Sequence, residues 1–381
     1  MDLSDYRQEI DKIDSELLKL FQERMEIAAK IAEYKKENSL PVLDPVRERE
    51  KMASLLENTS PEFRSYTHVL YSLMFELSRS HQGRLLGKKT ALSEKIASAI
   101  ENTQPLFPET ATVACQGTEG AYSQLACEKL FKAPSIMYMQ SFDNVFSAIE
   151  SGLCRYGMLP LENSSAGSVN QVYDLMQKHK FSIVKSVRLK VDHNLYVNRN
   201  VNDLSEIREI ISHEQAIMQC DEFIKSLGNV KITYCDNTAQ AAKMVANSNR
   251  CDIAAIASQS CGELYNLKCL KSAVQDNKNN YTRFICISKN LEIYPGAGKT
   301  SLMMTLSHRP GSLYKILARI YSLDINLLKL ESRPMPDRDF EFMFYFDIET
   351  SIYSKEFAEL LTELSEICEE FSYLGSYSEV M

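Results

Sequence analysis

The sequence lacks the features that would point to a membrane, a nucleic acid or a metal ion. Its apolar runs are far shorter than the about 18 residues that a membrane span needs. The net charge is −8 and no cluster of basic residues stands out, which argues against nucleic acid as a partner. The 10 cysteines have neither Cys-x-x-Cys spacing nor nearby histidine pairs, so the sequence predicts no metal site.

The N-terminus also lacks the apolar segment of a signal peptide, because MDLSDYRQEI is polar and acidic. Without such a signal, the cysteines are expected to be reduced and buried. A length of 381 residues corresponds to two or three domains of about 150 residues each. The composition, 44% hydrophobic and 25% charged, is typical of globular proteins. We therefore expect a cytosolic, multidomain protein.

The chain divides into three parts by composition. Residues 1–88 contain two glycines and three prolines and are predicted to be all-α. Residues 89–110 are predicted to be a linker that begins with a helical segment and then breaks at two prolines. Residues 111–289 alternate β-type runs with amphipathic stretches, as in an α/β domain. Residues 299–381 predict the order βαββαβ of a ferredoxin-like α+β module.

An apolar stripe with heptad spacing runs along the first predicted helix, from about Ser4 to Asn38. A helix of that length would measure roughly 50 Å, which an 88-residue domain cannot cover alone. We therefore expect it to pair with a second chain. The apolar members of the stripe are Tyr6, Ile10, Ile13, Leu17, Leu20, Ile27, Ile31 and Tyr34.

Arg24 interrupts this stripe where an apolar residue belongs. It either extends to solvent or sets the register of the helices, or it points into a cavity that holds an anion. Lys35 lies within about 20° of Arg24 on the helical wheel, which favours a shared anionic ligand. Arg7 lies about 100° away on the wheel, so any ligand it contacts is expected in a neighbouring subunit.

Two further predicted helices carry polar residues at positions that suit ligand binding. The second begins with an aspartate N-cap followed by proline, and the third begins with Ser-Pro in the same way. Their candidate ligand-binding residues are Asp44, Arg47 and Glu48 in the second helix and Ser78 and Gln82 in the third.

On these eight positions, residues 1–88 resemble the all-helical class of chorismate mutase. The resemblance implies a homodimer in which three helices from each chain interlock, with Arg7 crossing into the partner's site. Chorismate is a dicarboxylate, and its Claisen rearrangement needs no nucleophile, metal or cofactor. The enzyme has to hold the compact conformer and stabilise charge on the ether oxygen.

The resemblance also implies a role for each residue. Guanidinium groups suit the carboxylates because they bind them bidentately. The implied roles are carboxylate binding by Arg7, Arg24 and Arg47, donation to the ether oxygen by Lys35 and Gln82, acceptance from the substrate hydroxyl by Glu48, and a polar shell completed by Asp44 and Ser78.

The middle part contains polar turns rather than a metal or nucleophile motif. GTEGAYS, residues 117–123, is either a geometric turn or an anion cradle at a helix N-terminus. PLENSSAG, residues 160–167, is either a polar cluster or a helix cap. A lone histidine is more often structural than catalytic, so neither His193 nor His213 is a favoured proton donor.

Together with DHNLYV, SHEQAIMQC, NTAQAAKMVA, AAIASQSCGELYNL and TRF, these segments resemble prephenate dehydratase across residues 111–289. The resemblance implies two α/β lobes around a cleft, like a periplasmic binding protein. It implies Thr282 as the general acid, and Arg283 as a support for the local structure or for the substrate's carboxylate. Candidates for further substrate contacts are Asn163, Ser164 and Gln215.

Two positions depart from the dehydratase pattern. Glu214 stands where the family usually has proline, and Cys261-Gly262 stands where small residues such as alanine are usual. Both lie outside the Thr-Arg-Phe triplet, so they weaken the expected activity only slightly.

The C-terminal part resembles an ACT domain, a regulatory fold that binds amino acids. The resemblance rests on RPGSLYKIL, residues 309–317, and on ESRP, residues 331–334. Ser312 stands where alanine is commoner. The alternative is a module that serves dimerisation alone. The implied effector-binding residues are Gly311, Ser312, Leu313, Glu331, Ser332, Arg333 and Pro334.

These patterns favour a bifunctional enzyme of L-phenylalanine biosynthesis that acts on chorismate and prephenate, uses no cofactor and is inhibited by L-phenylalanine. Two alternatives stay open: a non-catalytic amino-acid sensor, and a mutase whose dehydratase domain is inactive or prefers arogenate. The intact Thr-Arg-Phe triplet and the eight mutase positions argue against the sensor. The expected assembly is a homodimer or a tetramer built from it.

Overall fold

The computed structural model describes residues 2–86, 90–335 and 341–381. The predicted end of the helical domain at residue 88, the linker's first residue and Phe340 of a predicted strand lie outside these ranges. The chain forms two compact units. One contains the residues up to 94 together with 359–366, and the other contains 95–358 and 367–381. No helix of the described residues is long and apolar enough to cross a membrane.

Three helices dominate the first unit, as predicted. They are α1 (Leu3–Glu37), α2 (Pro45–Glu57) and α3 (Arg64–Leu86). Asp44 caps α2 as its Asp-Pro start predicts, since its carboxylate accepts from the backbone amide of Arg47 at 3.0 Å. The Ser-Pro start of the third helix instead forms a 3₁₀ turn, Pro61–Phe63, before α3 begins. Both α1 and α2 pack against α3.

The predicted linker contains helix α4 (Ala91–Asn102). A phenylalanine after this helix packs against the α/β part. The ring of Phe107 lies 5.0 Å from that of Phe131 and 4.9 Å from that of Tyr294, centroid to centroid. This segment therefore covers part of an apolar core rather than extending freely.

The α/β part consists of two lobes, each with its own sheet. In the first, the strand order is β16-β5-β11-β3-β1-β2, with β4 paired to β3. Its elements are β1 (Thr112–Gln116), α5 (Tyr122–Leu130), β2 (Ser135–Met139), α6 (Phe142–Glu150), β3 (Tyr156–Asn163), β4 (Gly167–Ser168), α7 (Asn170–His179), β5 (Ser182–Lys190), β11 (Tyr281–Ser288) and β16 (Glu379–Val380).

The second lobe is inserted between β5 and β11, so residues 191–193 and 272–280 connect the two lobes. Its sheet has the order β10-β6-β9-β7-β8. Its elements are β6 (Asn194–Val197), β7 (Glu209–Ser212), α8 (Glu214–Met218), α9 (Asp221–Ser226), β8 (Lys231–Tyr234), α10 (Thr238–Ala246), β9 (Ile253–Ala257), α11 (Gln259–Leu264) and β10 (Lys268–Lys271).

The C-terminal module has the predicted order of elements. Its four-stranded antiparallel sheet has the order β13-β14-β12-β15, the ferredoxin-like arrangement. Its elements are β12 (Lys299–Thr305), α12 (Ser312–Ser322), β13 (Asn326–Pro334), β14 (Phe342–Glu349), α13 (Lys355–Ile367) and β15 (Glu370–Tyr377). Met303, Met343 and Leu374 of this sheet share a core with Leu161 and Ile285 of the first lobe.

The chain then returns to the first lobe in a way that the sequence does not predict. After β15, the two residues of β16 pair in parallel with β5. Glu379 forms ion pairs with Arg188 at 2.9 Å and with Lys299 at 2.8 Å. The end of the chain is thereby fastened to the dehydratase-like sheet.

Candidate active sites

Arg24 faces α3, where its guanidinium meets a hydroxyl group. It donates to Oγ of Ser78 and to the carbonyl of Met74, the latter at 3.3 Å. Its Cζ also lies 5.8 Å from the centroid of the Phe75 ring. The half-buried charge therefore points along the α1–α3 interface, toward the face that carries Gln82 one turn beyond Ser78.

Gln82 has an unsatisfied polar group in this interface. Its side chain is buried, with 7% of the residue exposed, and Oε1 has no hydrogen-bond partner among the described residues. A buried amide atom without a partner is costly, so a group that binds there would be stabilising. Ser78, 6% exposed, lies one turn earlier on the same face.

Glu48 reaches α3 through a residue that the sequence analysis does not single out. Its carboxylate pairs with Arg79, whose guanidinium also lies 3.5 Å from Glu76. The pair links α2 to α3 beside Ser78. The only sequence signal for Arg79 is its position next to that serine.

Three other predicted mutase residues have local partners. Nζ of Lys35 donates to the carbonyl of Val42 at 2.6 Å, Asp44 caps α2, and Arg47 lies 3.9 Å from Glu50. Arg7 is exposed on α1 and, at 1.5 Å per residue, lies about 26 Å along the helix from Arg24. A single chain therefore does not bring Arg7 to the group around Arg24.

The apolar stripe of α1 is exposed in the single chain. Tyr6, Leu17 and Leu20 are 54%, 53% and 60% exposed. A row of large apolar side chains over this length is unusual for a surface that stays in water.

Thr282 and Asn163 form the centre of the second candidate site. They are paired residues of β11 and β3, and Nδ2 of Asn163 donates to Oγ1 of Thr282 at 2.9 Å. Oδ1 of Asn163 accepts from the backbone amides of Ser165 and Ala166 at 2.9 and 2.8 Å. The turn after β3 thus fixes the amide that holds the threonine hydroxyl.

A chain of amides extends this network toward the second lobe. Asn163 also donates to Asn280 at 2.7 Å, and Asn280 donates to Oε1 of Gln219 at 2.9 Å. The same Oε1 lies 2.9 Å from Nε2 of His193. Burial lowers the pKa of His193, and the opposing effect of Gln219 does not restore it, so the imidazole stays neutral at neutral pH. Asn280 and Gln219 are not singled out by the sequence analysis, although Gln219 lies within the quoted SHEQAIMQC segment and Asn280 lies two residues before the Thr-Arg-Phe triplet.

Ser164 and Gln215 lie apart from this chain of amides. Oγ of Ser164 donates to the carbonyl of Asn279 at 3.0 Å and accepts from the amide of Tyr281 at 2.9 Å. Gln215 is half-buried in the first turn of α8, where its backbone amide donates to Nδ1 of His213 at 3.2 Å. Their contacts with substrate stay predictions.

A cavity of about 480 Å³ opens beside β3 and β11. Thr282 is not among its lining residues, but Asn163, which holds Thr282, is. The volume falls in the usual range for small-molecule sites. Its lining residues are Glu162, Asn163, Ser164, Arg188, Asn279, Tyr281, Arg283 and Met381.

Arg283 is neutralised by two carboxylates. Its Nη2 lies 2.5 Å from Oδ2 of Asp347, and its Nε lies 2.7 Å from Oε1 of Glu162 in an ion pair that lacks hydrogen-bond geometry. Burial is the largest single effect and lowers the pKa of Arg283, but Asp347 and the neighbouring acidic groups, Glu162 among them, together outweigh it, so the net shift is upward. Burial likewise raises the pKa of Glu162, but Arg283 and Lys329 together hold it below its ordinary value.

The two departures from the dehydratase pattern have different surroundings. Sγ of Cys261 donates to the carbonyl of Gly120 at 3.1 Å, which ties α11 to the GTEGAYS turn. A Cβ on Gly262 would lie 2.1 Å from Cε1 of Tyr196, so only glycine fits beneath that ring. Glu214 is exposed at the start of α8. The Cys-Gly pair is therefore a packing feature of this chain.

The predicted effector residues occupy one turn and one edge strand. Gly311 has φ +85° and precedes α12, and Oγ of Ser312 lies 3.1 Å from Oγ of Ser307. On β13, Glu331 accepts from Ser168 at 2.8 Å and Arg333 lies 3.2 Å from Asp174. The remaining effector candidates are Leu313, half-buried on α12, and Ser332 and Pro334, exposed on β13.

Two family models match the chain. One, described as chorismate mutase type II, matches residues 6–83, and the other, described as prephenate dehydratase, matches residues 113–292. The bifunctional chorismate mutase/prephenate dehydratase of Escherichia coli (strain K12) is 31% identical over 380 residues, covering 97% of this chain and 95% of that protein. The chloroplastic arogenate dehydratase/prephenate dehydratase 2 of Arabidopsis thaliana is 37% identical over 277 residues, covering 70% of this chain and 72% of that protein.

A solved structure agrees with the match to the prephenate dehydratase model. The crystal structure of prephenate dehydratase in complex with L-Phe from Arthrobacter aurescens has a TM-score of 0.64 and 25% identity, and it covers 70% of this chain and 90% of that chain. The predicted helical mutase domain and α/β dehydratase domain are confirmed. The chain thus belongs to the family of bifunctional enzymes that join a chorismate mutase to a prephenate dehydratase.

Proposed function

We propose that this chain catalyses two consecutive steps of L-phenylalanine biosynthesis, from chorismate through prephenate to phenylpyruvate, with the residues described above. The proposal rests on the hydrogen bond from Asn163 to Thr282. The same chain places Arg24, Ser78 and Gln82 along one helix interface.

In the mutase site, Arg24 and Arg47 bind the substrate's carboxylates, and Lys35 and Gln82 donate to its ether oxygen. No proton moves in the Claisen step, because one C–O bond breaks as one C–C bond forms. Stabilising the charge that develops on the ether oxygen is therefore the main task. The amide nitrogen of Gln82 is the group suited to it, whereas the unpartnered Oε1 can only accept a hydrogen bond from another group of the substrate.

A second copy of the chain completes this site. The exposed stripe of α1 is buried between two copies, and the partner's first helix brings its Arg7 to the group around Arg24. The dimer is the minimal unit, and paired C-terminal modules provide a route to a tetramer.

All 10 cysteines are free thiols, which agrees with a reducing compartment such as the cytosol.

In the dehydratase site, Thr282 acts as the general acid. The ring hydroxyl leaves with the threonine proton as water, while the ring carboxylate leaves as CO₂ and its bonding pair enters the ring. Because Asn163 donates to Oγ1, the hydroxyl hydrogen of Thr282 is free to point at the leaving group. The same amide stabilises negative charge on Oγ1 as the proton departs.

The C-terminal module acts as an ACT domain that binds L-phenylalanine at the turn of residues 311–313 and on β13. The structure of the Arthrobacter relative is a complex with L-Phe, which supports this assignment. Glu331 and Arg333 have protein partners here, so an effector that recruits them has to displace Ser168 or Asp174. Loss of L-phenylalanine inhibition in Glu331→Ala, with both activities intact, is the expected result.

Product analysis after mixing the purified protein with chorismate tests the two-step assignment. Phenylpyruvate above a no-enzyme control supports both sites, whereas prephenate alone contradicts the dehydratase assignment. Arogenate is a second candidate substrate, favoured by the 37% identity to the Arabidopsis protein. Parallel assays with prephenate and arogenate decide between them.

A further inference from the structure

A buried aspartate of the C-terminal module contacts the strand that carries Thr282. Asp347 lies on β14 and is 1% exposed, and Arg283 lies on β11 and is 5% exposed. Their charged groups meet at 2.5 Å. Arg283 is the sequence neighbour of Thr282, so this contact acts one residue from the general acid.

The carboxylate of Asp347 ends a hydrogen-bond network that spans three strands of its own module. Oδ1 accepts from Oγ of Ser301 on β12 at 2.5 Å. Ser301 in turn lies 2.7 Å from the hydroxyl of Tyr377 on β15 and accepts from Tyr345 on β14 at 2.9 Å. Asp347 is thus a rigid anchor for the guanidinium.

The strand pair β3–β11 has two faces with different contacts. On one face, Asn163 holds Thr282. On the other, their neighbours Glu162 and Arg283 form an ion pair, because successive side chains alternate across a strand. Glu162 also pairs with Lys329 of β13. The C-terminal module therefore contacts β3 through Lys329 and β11 through Asp347.

Although Arg283 lines the cavity beside β3 and β11, its charge is poorly available to the substrate's carboxylate. Only 6% of its side chain is exposed, and Asp347 and Glu162 already balance its charge. A third carboxylate would meet two negative charges around one guanidinium. Its contacts therefore suit the fixing of a strand better than the binding of an anion.

We propose that Asp347 is a positioning residue of the dehydratase site: through Arg283 it fixes the segment of β11 that presents Thr282. The inference rests on the proposed role of Thr282. It makes the C-terminal module part of the dehydratase machinery even when no effector is bound.

Steady-state kinetics of Asp347→Asn in the full-length protein test this proposal. We expect kcat for prephenate to fall by roughly tenfold or more, with KM within about twofold, because proton transfer loses alignment while substrate binding persists. Mutase activity stays unchanged. Glu349→Gln, an exposed carboxylate two residues away on β14, serves as the matched control and leaves both activities intact.

Arg283→Lys distinguishes positioning from substrate contact. We expect the same selective fall in kcat, and the double variant with Asp347→Asn to be no worse than the poorer single variant, since both act through one contact. A tenfold rise in KM with kcat retained in Arg283→Lys overturns the proposal, because it is the result expected of a substrate ligand. Unchanged kinetics in a folded Asp347→Asn variant also overturn it.

Ser301→Ala provides a test if Asp347→Asn fails to fold, because it weakens the anchor without leaving a charge unpaired. A lowered kcat at constant KM supports the proposal, and wild-type kinetics contradict it. Thr282→Ala distinguishes a failure of this inference from a failure of the proposed role of Thr282 as general acid. If that variant keeps full dehydratase activity, the role of Thr282 fails, whereas an inactive Thr282→Ala beside normal Asp347 variants rejects the inference alone.

Discussion

Asn163 donates a hydrogen bond from Nδ2 to Oγ1 of Thr282 at 2.9 Å, across neighbouring strands of the first lobe. The donor is itself held, because Oδ1 of Asn163 accepts from two backbone amides of the following turn. The threonine hydroxyl is therefore oriented before a substrate arrives. This preorganisation suits a weak acid that has to transfer its proton as the C–O bond breaks.

Thr282→Ala should abolish phenylpyruvate formation and spare the mutase. The loss of a general acid is expected to lower dehydratase kcat by about 10²-fold or more. Assays of each half-reaction on the same preparation provide the measurement, with the mutase as an internal control. Thr282→Ser keeps the hydroxyl and should recover part of the activity. Retained turnover in the alanine variant would exclude Thr282 as the acid.

Arg24→Ala should remove mutase activity with the fold intact. The guanidinium is half-buried and directed along the α1–α3 interface, and the loss of one such charged donor typically costs about 10²- to 10³-fold in rate. Mutase assays together with circular dichroism check this. Lys19→Ala, which changes an exposed residue paired with Glu23 on the same helix, is the matched control. Normal turnover in Arg24→Ala would show that Arg24 only packs.

The sequence predicts the elements better than the contacts between them. Heptad spacing predicts α1, and the Asp-Pro start predicts the cap of α2, because both are local signals. Arg79, Asn280 and Asp347 are not predicted, because each acts through a partner more than 30 residues away in the chain. β16 has two residues and carries no periodic pattern, so only pairing with β5 makes it a strand.

Stability should decrease as the pH falls below about 6.5, in part because of His193. Burial holds its folded pKa below the 6.5 of an unperturbed imidazole, so the unfolded chain takes up a proton first. Its contribution is complete above pH 6.5 and declines as the pH falls toward the folded pKa. Thermal unfolding between pH 8 and pH 5 measures the effect. We expect His193→Gln to reduce the slope over the acidic part of that range.

The control for this prediction is His308→Gln, which replaces an exposed histidine of the same unit. An identical pH dependence in the wild type and in His193→Gln would show that His193 does not contribute.

Gly262→Ala should destabilise the second lobe, because the new methyl group would lie 2.1 Å from Cε1 of Tyr196. Tyr196 is 4% exposed on β6 and cannot withdraw easily, so we expect the overpacking to cost about 1–3 kcal/mol. Thermal unfolding of the full-length protein measures the loss. Gly298→Ala is the control, since a Cβ there meets nothing within 4 Å. Replacing Tyr196 by leucine in the Gly262→Ala background opens the space and should restore part of the stability. If Gly262→Ala unfolds at the wild-type temperature, the ring has room to move and the Cys-Gly pair is not a packing requirement.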